Sequence, residues 1–259
     1  MPTKKNIVLL GRQDRPTAIL YNSLCSDGLT PVGVIVEGSE AKLKFLKRRM
    51  KRFGLVKVIG QIAFRVIAVP MLKITSRRRV KEIQQRFALD SSPILPASLT
   101  KIKSVNSDEC ITTLRELRPT VVVVSGTRII SDKVLDSIPG VFINMHAGIT
   151  PMYRGSHGGY WSLVQSDREG CGVTVHQVDA GVDTGPILEQ ARISPESKDN
   201  FVTYGLLQQA AGLPLVKKAI RDACEDRLVA IAPPPGRSRL WTHPTLSEYI
   251  HNRLSSGVK

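Results

Sequence analysis

The chain has 259 residues, 37 Lys+Arg against 22 Asp+Glu, a formal net charge of +15 and 42% hydrophobic residues. That length suits one large α/β domain or two small ones, and ordinary glycine and proline contents exclude collagen, disorder and low complexity. The longest apolar stretch, Val58 to Leu72, is interrupted by Gln61, Arg65 and Pro70 and is shorter than the ~20 residues a bilayer crossing requires.

The first element is Asn6 to Gly11, an apolar run ending in glycine, which predicts a buried strand and then a helix over about Thr17 to Ser26. Pro31 to Val36 predicts the second strand, and strand–helix–strand order predicts a Rossmann-like, mostly parallel sheet with helices on both faces. Gly11-Arg12-Gln13-Asp14 is not the dinucleotide fingerprint, so a nicotinamide enzyme is poorly supported. A basic segment, Lys42 to Arg86, reads as a helical insert. A short strand near Ile102–Val105 precedes a helix that starts after Asn106 or Ser107, with Asp108 and Glu109 in its first turn. The β-branched run Thr120–Val124 predicts the central parallel strand. Val141–Met145 is the next strand, and Val173–His176 and Ile187–Ala191 a later pair. A helical pattern from Asn200 to Asp226 carries a kink signal at Gly212-Leu213-Pro214, and Pro233–Gly236 breaks the chain ahead of a tail. The expected organisation is a catalytic domain over 1–198, with the insert at 42–86, and a C-terminal helix and tail over 199–259.

The charge is concentrated. Lys42 to Arg86 holds 15 Lys+Arg and one acid, Glu82, so this segment carries +14 of the +15. Lys44, Lys47, Arg48, Lys51 and Arg52 alternate with Leu43, Phe45, Leu46, Met50 and Phe53, which fits a basic amphipathic helix. Anionic lipid, nucleic acid, a polyphosphate-bearing substrate or glycolipid, and a solvated helix pair all fit. Nucleic acid is disfavoured, because the segment has three Phe and no Tyr or Trp for base stacking. The apolar run from Phe53 to Leu72 is expected to pack into the core or a dimer interface. Cys25, Cys110, Cys171 and Cys224 are far apart, and the five histidines lack ligand spacing, so reduced thiols and no metal site are expected.

Asn144 and His146 lie two apart at a strand end and share a face, at the carboxyl edge where open α/β folds bind ligands. Asp183, thirty-seven residues after His146 in the loop Gly181-Val182-Asp183-Thr184-Gly185-Pro186, can return an acid to that edge. Alone, Asn-x-His is more often structural, and an Asp before Gly-Pro is usually a turn residue. Together, Asn144-Met145-His146, Pro151-Met152-Tyr153-Arg154-Gly155 and Asp183-Thr184-Gly185-Pro186 resemble the signature of the folate-dependent formyltransferases. The likeness covers about Asn106 to Ile193, and it departs at Gly148-Ile149-Thr150, where that family commonly has Ser-Leu-Leu.

The resemblance implies transfer of a formyl group from 10-formyltetrahydrofolate to an amine without a metal. Asn144 and His146 would donate to the formyl oxygen, and Asp183 would hold His146 and relay a proton. It places the pterin against Thr127, Arg128, Ile129 and Ile130 and against Asp179, Ala180, Gly181 and Val182. It places the acceptor near Gly11, Arg12, Tyr153, Arg154 and Gly155. Arg128 reads equally as a surface arginine. Among branches of the family, the absent glycine-rich phosphate loop and the short segment after the core favour sugar-nucleotide N-formyltransferases of bacterial surface polysaccharides. The implied partner is a nucleotide-linked amino sugar such as GDP-perosamine, for O-antigen synthesis. A cytoplasmic homodimer is expected, with peripheral attachment to the inner membrane face through 42–86 as an option. The alternatives are a methionyl-tRNA formyltransferase-like enzyme without a C-terminal barrel, and a non-catalytic basic protein that binds RNA or membrane.

Overall fold

The structure is a computed structural model that describes residues 5–38 and 42–259. Seven strands form one sheet in the order β3-β2-β1-β4-β5-β7-β8. They are β1 (Ile7–Gly11), β2 (Gly33–Glu37), β3 (Leu99–Ile102), β4 (Val121–Ser125), β5 (Val141–His146), β7 (Gly172–Gln177) and β8 (Ile187–Arg192). The first five in spatial order are parallel; β7 then pairs antiparallel to β5, and β8 antiparallel to β7. This is the Rossmann-like arrangement expected, with Val121–Val124 central and fully buried or nearly so. The third strand begins earlier than its sequence pattern suggests, because Leu99–Ile102 pairs with Val34–Glu37.

Period-two alternation distributes the strand side chains between two cores. Leu9, Val34, Val121, Val123, Ile143 and Val175 pack with α1 (Arg15–Ser26) and the long helix α9 (Phe201–Cys224). On the other face Val8, Leu10, Ile35, Val122, Val124 and Phe142 pack with α6 (Asp108–Leu117). Ser107 caps α6 through its side chain, and Asp108 and Glu109 occupy the first turn, as the helix dipole prefers. Helix α9 is capped by Asn200 in a capping box and runs unbroken through Pro214.

The basic insert folds as α2 (Lys42–Phe53), α3 (Leu55–Ala63), a π-helical turn (Phe64–Ala68), α4 (Val69–Thr75) and α5 (Arg77–Arg86). Leu55 to Thr75 is one helix of 21 residues, long and apolar enough to cross a membrane by length and composition. The helix thus extends beyond the apolar stretch Val58–Leu72 at both ends. Pro70 does not end it, since it lies in the first turn of α4 directly after the π turn, where its missing N–H is tolerated. Nor is the run wholly packed away. Val58, Gln61, Phe64, Ala68 and Leu72 are buried, while Val56, Ile59, Val66, Ile67, Met71 and Ile74 are exposed.

The buried face belongs to a third core with Tyr160 and Trp161 of α8 (Gly158–Val164), Phe201, Tyr204, Trp241 and Tyr249. The segment after Pro235 is therefore structured. Its β9 (Leu240–Trp241) pairs in parallel with β6 (Arg154–Gly155), and α10 (Leu246–Ser256) packs on the insert. Arg79 fastens the insert down. Its buried guanidinium bonds Asp199 at 2.7 and 2.8 Å and Glu82 and Glu196 at 2.9 and 3.1 Å, and Asn200 bonds Ser76 at 2.6 Å.

Candidate active site

The chain order reverses direction across the sheet between β1 and β4, so the loops after the central strands open a crevice at their carboxyl ends. Asn144 and His146 close β5 at that edge, paired across to His176 and Thr174 of β7. The loop after β7 returns Asp183 to them, in left-handed backbone at φ 52°. Asp183 Oδ2 lies 3.3 Å from His146 Nδ1 and accepts the Gly155 N–H at 2.8 Å. Its Oδ1 lies 3.5 Å from Asn144 Nδ2 and 3.6 Å from His176 Nε2. The three predicted catalytic side chains thus form one cluster.

The hydrogen bonds define who carries protons. A backbone carbonyl only accepts, so His146 Nε2, 2.7 Å from the Tyr153 oxygen, carries a hydrogen and leaves Nδ1 facing Asp183. By the same argument His176 Nδ1 donates to Gln177 O at 2.7 Å, and Nε2 accepts from Asn144 at 3.1 Å. The Asn144 contact to Asp183 is at the limit of a hydrogen bond, so that N–H is the one an incoming oxygen can take. Burial lowers the His146 pKa below the ordinary imidazole value, against the charge of Asp183 and the Tyr153 carbonyl. Burial alone would raise the Asp183 carboxyl, but His146, His176 and the Gly155 N–H together hold it below the usual carboxylate range. Gly148 makes the contact possible, because a Cβ there would sit 2.3 Å from Tyr153 O and 2.8 Å from His146 Nε2.

A cleft of about 270 Å³ opens beside this cluster. It is lined by Asn144, His146, His176 and Asp183, by Thr127, Arg128, Ile129 and Ile130, and by Asp179, Gly181 and Val182. The structure therefore gathers the catalytic and pterin-side positions in one place, except Ala180, which is exposed outside the lining. Arg128 is committed to structure. Its guanidinium pairs with the fully buried Glu37 carboxylate at 2.6 Å, and its backbone N–H bonds Glu37 at 2.7 Å. Glu37, missed in the sequence, thereby holds the Thr127–Ile130 turn.

The acceptor-side positions fare unequally. Gly155 lines the cleft, and Arg154 clamps the 179–183 loop by bonding Val182 O at 2.9 Å. Tyr153 must be corrected as a side-chain contact: its ring is buried against Trp241 and its hydroxyl bonds Asp167 at 2.8 Å, so only its carbonyl serves the site. Gly11 is packed against Thr17 and Ser125, and Arg12 is an exposed partner of Glu37 at 3.6 Å. Neither lines this cleft or the larger cavity beside it; the neighbouring Asp14, Arg15 and Pro16 line the latter. They belong to a second cavity of about 600 Å³ on the other side of the β5 end, with Ala147, Ser156, His157 and His243, and with Val69 and Lys73 of the insert. His157 and His243 are 2.9 Å apart. Burial lowers both, His157 well below the imidazole value and His243 to about 4. Among the described residues no group of His, Cys, Asp and Glu has metal-holding geometry.

Residues 55–205 match the formyl transferase family over more than half of the chain. The chain belongs to that family. A methionyl-tRNA formyltransferase from Kosmotoga olearia is 36% identical over 102 residues, 39% of this chain and 32% of that protein. The chain spans less than half the length of the curated relatives it matches. Among solved structures, a glycinamide ribonucleotide transformylase from Symbiobacterium toebii aligns over 92% of this chain and 95% of its own, with TM-score 0.58 and 19% identity. An N-formyltransferase from Helicobacter canadensis, in complex with folinic acid and dTDP-3-aminofucose, aligns over 92% and 71% with TM-score 0.56 and 15% identity. These likenesses show that the formyltransferase fold extends through the whole sheet.

Proposed function

We propose that the protein transfers a formyl group from 10-formyltetrahydrofolate to the amino group of a nucleotide-linked amino sugar. The observation that carries this reading is the Asn144–His146–Asp183 cluster at the carboxyl end of β5, opening into a cleft between the 127–130 turn and the 179–183 loop. That cleft suits a flat heteroaromatic ring: Val124, Ile130, Val178 and Val182 supply apolar walls, and two irregular segments supply backbone edges. When bound, the folate supplies a carbonyl carbon open to attack by an amine.

The chain's own residues do the rest. Asn144 Nδ2 gives up its long contact with Asp183 and donates to the formyl oxygen as negative charge develops there. His146, fixed through Nε2 by Tyr153 O, sets Nδ1 against the Asp183 carboxylate, and with both groups' pKa values lowered the pair has room for a proton between them. This pair takes the proton that the attacking amine loses and returns one to the departing folate nitrogen. The new bond joins amine nitrogen and formyl carbon, and the bond from that carbon to folate breaks. The second cavity, opening at Ala147 and Ser156 on the opposite side of the same strand end, suits the acceptor.

The sugar-nucleotide acceptor is supported by the fold shared with the dTDP-3-aminofucose-bound N-formyltransferase, and GDP-perosamine is the first acceptor to assay. This reading sets the enzyme in the cytoplasm, supplying formamido sugars for surface polysaccharide. A second reading, transfer to an aminoacyl-tRNA, is supported by the relatives that are methionyl-tRNA formyltransferases. Incubation with 10-formyltetrahydrofolate and a panel of nucleotide-linked amino sugars or charged initiator tRNA, read by mass spectrometry, separates them. A one-formyl gain on a sugar nucleotide supports the proposal, and a gain on the tRNA alone overturns it.

A further inference from the structure

We infer that the outer face of the 55–75 helix docks on an anionic lipid bilayer, lying in the plane of the interface. On that face Leu55, Val56, Ile59, Val66, Ile67 and Ile74 are between 55 and 86% exposed. Water contact with so many large aliphatic side chains along one helix is unfavourable, and such a patch marks an interaction surface. Lys57 and Arg65 on the same helix are exposed, as is Lys73 at the rim of the second cavity. None of the three has an ion pair among the described residues. Bases continue at both ends, with Lys47 and Lys51 on α2 and Arg77 and Arg78 on α5, all exposed. Aliphatic side chains interleaved with uncompensated bases complement a surface that is apolar a few ångströms down and negative at the headgroups.

The helix lies on such a surface and does not cross it. Its inner face is built into the protein: Phe64 packs edge-on against Phe201 at 4.8 Å, Gln61 donates to His243 O at 2.6 Å, and Gly60 abuts Thr245. Crossing would pull these contacts apart and bury Arg79 and its carboxylates in hydrocarbon. Nucleic acid is the poorer occupant, because the exposed groups between the bases are aliphatic and offer no stacking face. The inference concerns where the enzyme sits, and it stands apart from the acceptor's identity.

Vesicle co-sedimentation of the full chain tests it, with zwitterionic phosphatidylcholine against mixed phosphatidylcholine–phosphatidylglycerol at low and high salt. The expected result is retention on the anionic vesicles only, weakened by salt, since each base near anionic lipid raises affinity about fivefold. Val56→Glu/Ile67→Glu is expected to lose retention at least tenfold with melting temperature and formyl transfer unchanged. Lys47→Gln/Lys51→Gln/Arg77→Gln, which leaves the apolar face intact, is expected to lose it specifically at low salt. Equal, negligible pelleting with both vesicles overturns the inference, as does retention unchanged in both variants. A salt-stable dimer that the Glu variant dissociates, without vesicle binding, assigns the face to a second copy and overturns it too. RNA retention without vesicle binding does the same.

Discussion

The carboxyl end of β5 and the outer face of the 55–75 helix follow opposite rules. At β5, Asn144, His146, His176 and Asp183 lock one another and the Gly155 and Tyr153 backbone into a single hydrogen-bonded arrangement. On the helix, large aliphatic side chains face water, and its bases have no ion pair among the described residues. The first region is complete in itself and poised for a small reacting group, as preorganised catalytic dipoles must be. The second is incomplete until something covers it. Nearly all of the net charge of +15 belongs to the 42–86 insert, which borders the second cavity through Val69 and Lys73 and contributes no member of the catalytic cluster.

The sharpest way to separate the regions is to cut the joint between them. Arg79→Ala leaves Asp199 buried without its cation, and breaking such a pair costs about 3–5 kcal/mol. The melting temperature should fall steeply while turnover per folded molecule is kept; loss of turnover at full stability would show that the insert serves the chemistry. Within the catalytic edge, Asn144→Ala and Asp183→Ala should each lower kcat about 10²–10³-fold with circular dichroism unchanged. Gly148→Ala should cost about 1–3 kcal/mol by overpacking, and should depress turnover beyond its stability effect because the added Cβ meets His146 Nε2. A melting scan at matched pH against wild type measures both.

The smallest effect is a pH dependence beside the insert. His157 and His243 titrate below 6.5 in the folded protein, His243 at about 4, whereas both take protons near 6.5 when unfolded. The unfolded state then binds more protons, so stability is full above about pH 6.5 and falls as pH drops toward 4 and below. His243→Gln should flatten that fall in thermal melts across this range, and an unchanged slope would remove His243 from the account.

Much of this was legible in the sequence for identifiable reasons. The β-branched run Val121–Val124 reads as a central parallel strand, and Asn144 and His146 share a face by strand period. Asp183 was reachable only through the resemblance of the combined motifs, since an Asp before Gly-Pro reads by itself as a turn residue. What escaped depends on contacts distant in sequence. His176 sits on a strand whose antiparallel pairing turns it toward Asn144, and a strand pattern alone does not say which neighbour it meets. Tyr153 reads as a polar-loop aromatic facing substrate, yet Trp241, 88 residues later, draws its ring into the third core. The insert was half legible: apolar periodicity shows a helix, but not that only one face finds a partner.

The central claim is that the β5 edge carries formyl transfer, and His146→Ala under single-turnover conditions tests it most directly. Enzyme, 10-formyltetrahydrofolate and the acceptor found by screening are mixed, and N-formyl product is followed by mass spectrometry, with folinic acid affinity measured alongside. The expected result is a fall of about 10²–10³ in the transfer rate with folinic acid binding nearly unchanged. A transfer rate close to wild type, with the variant folded and binding folate, would contradict it.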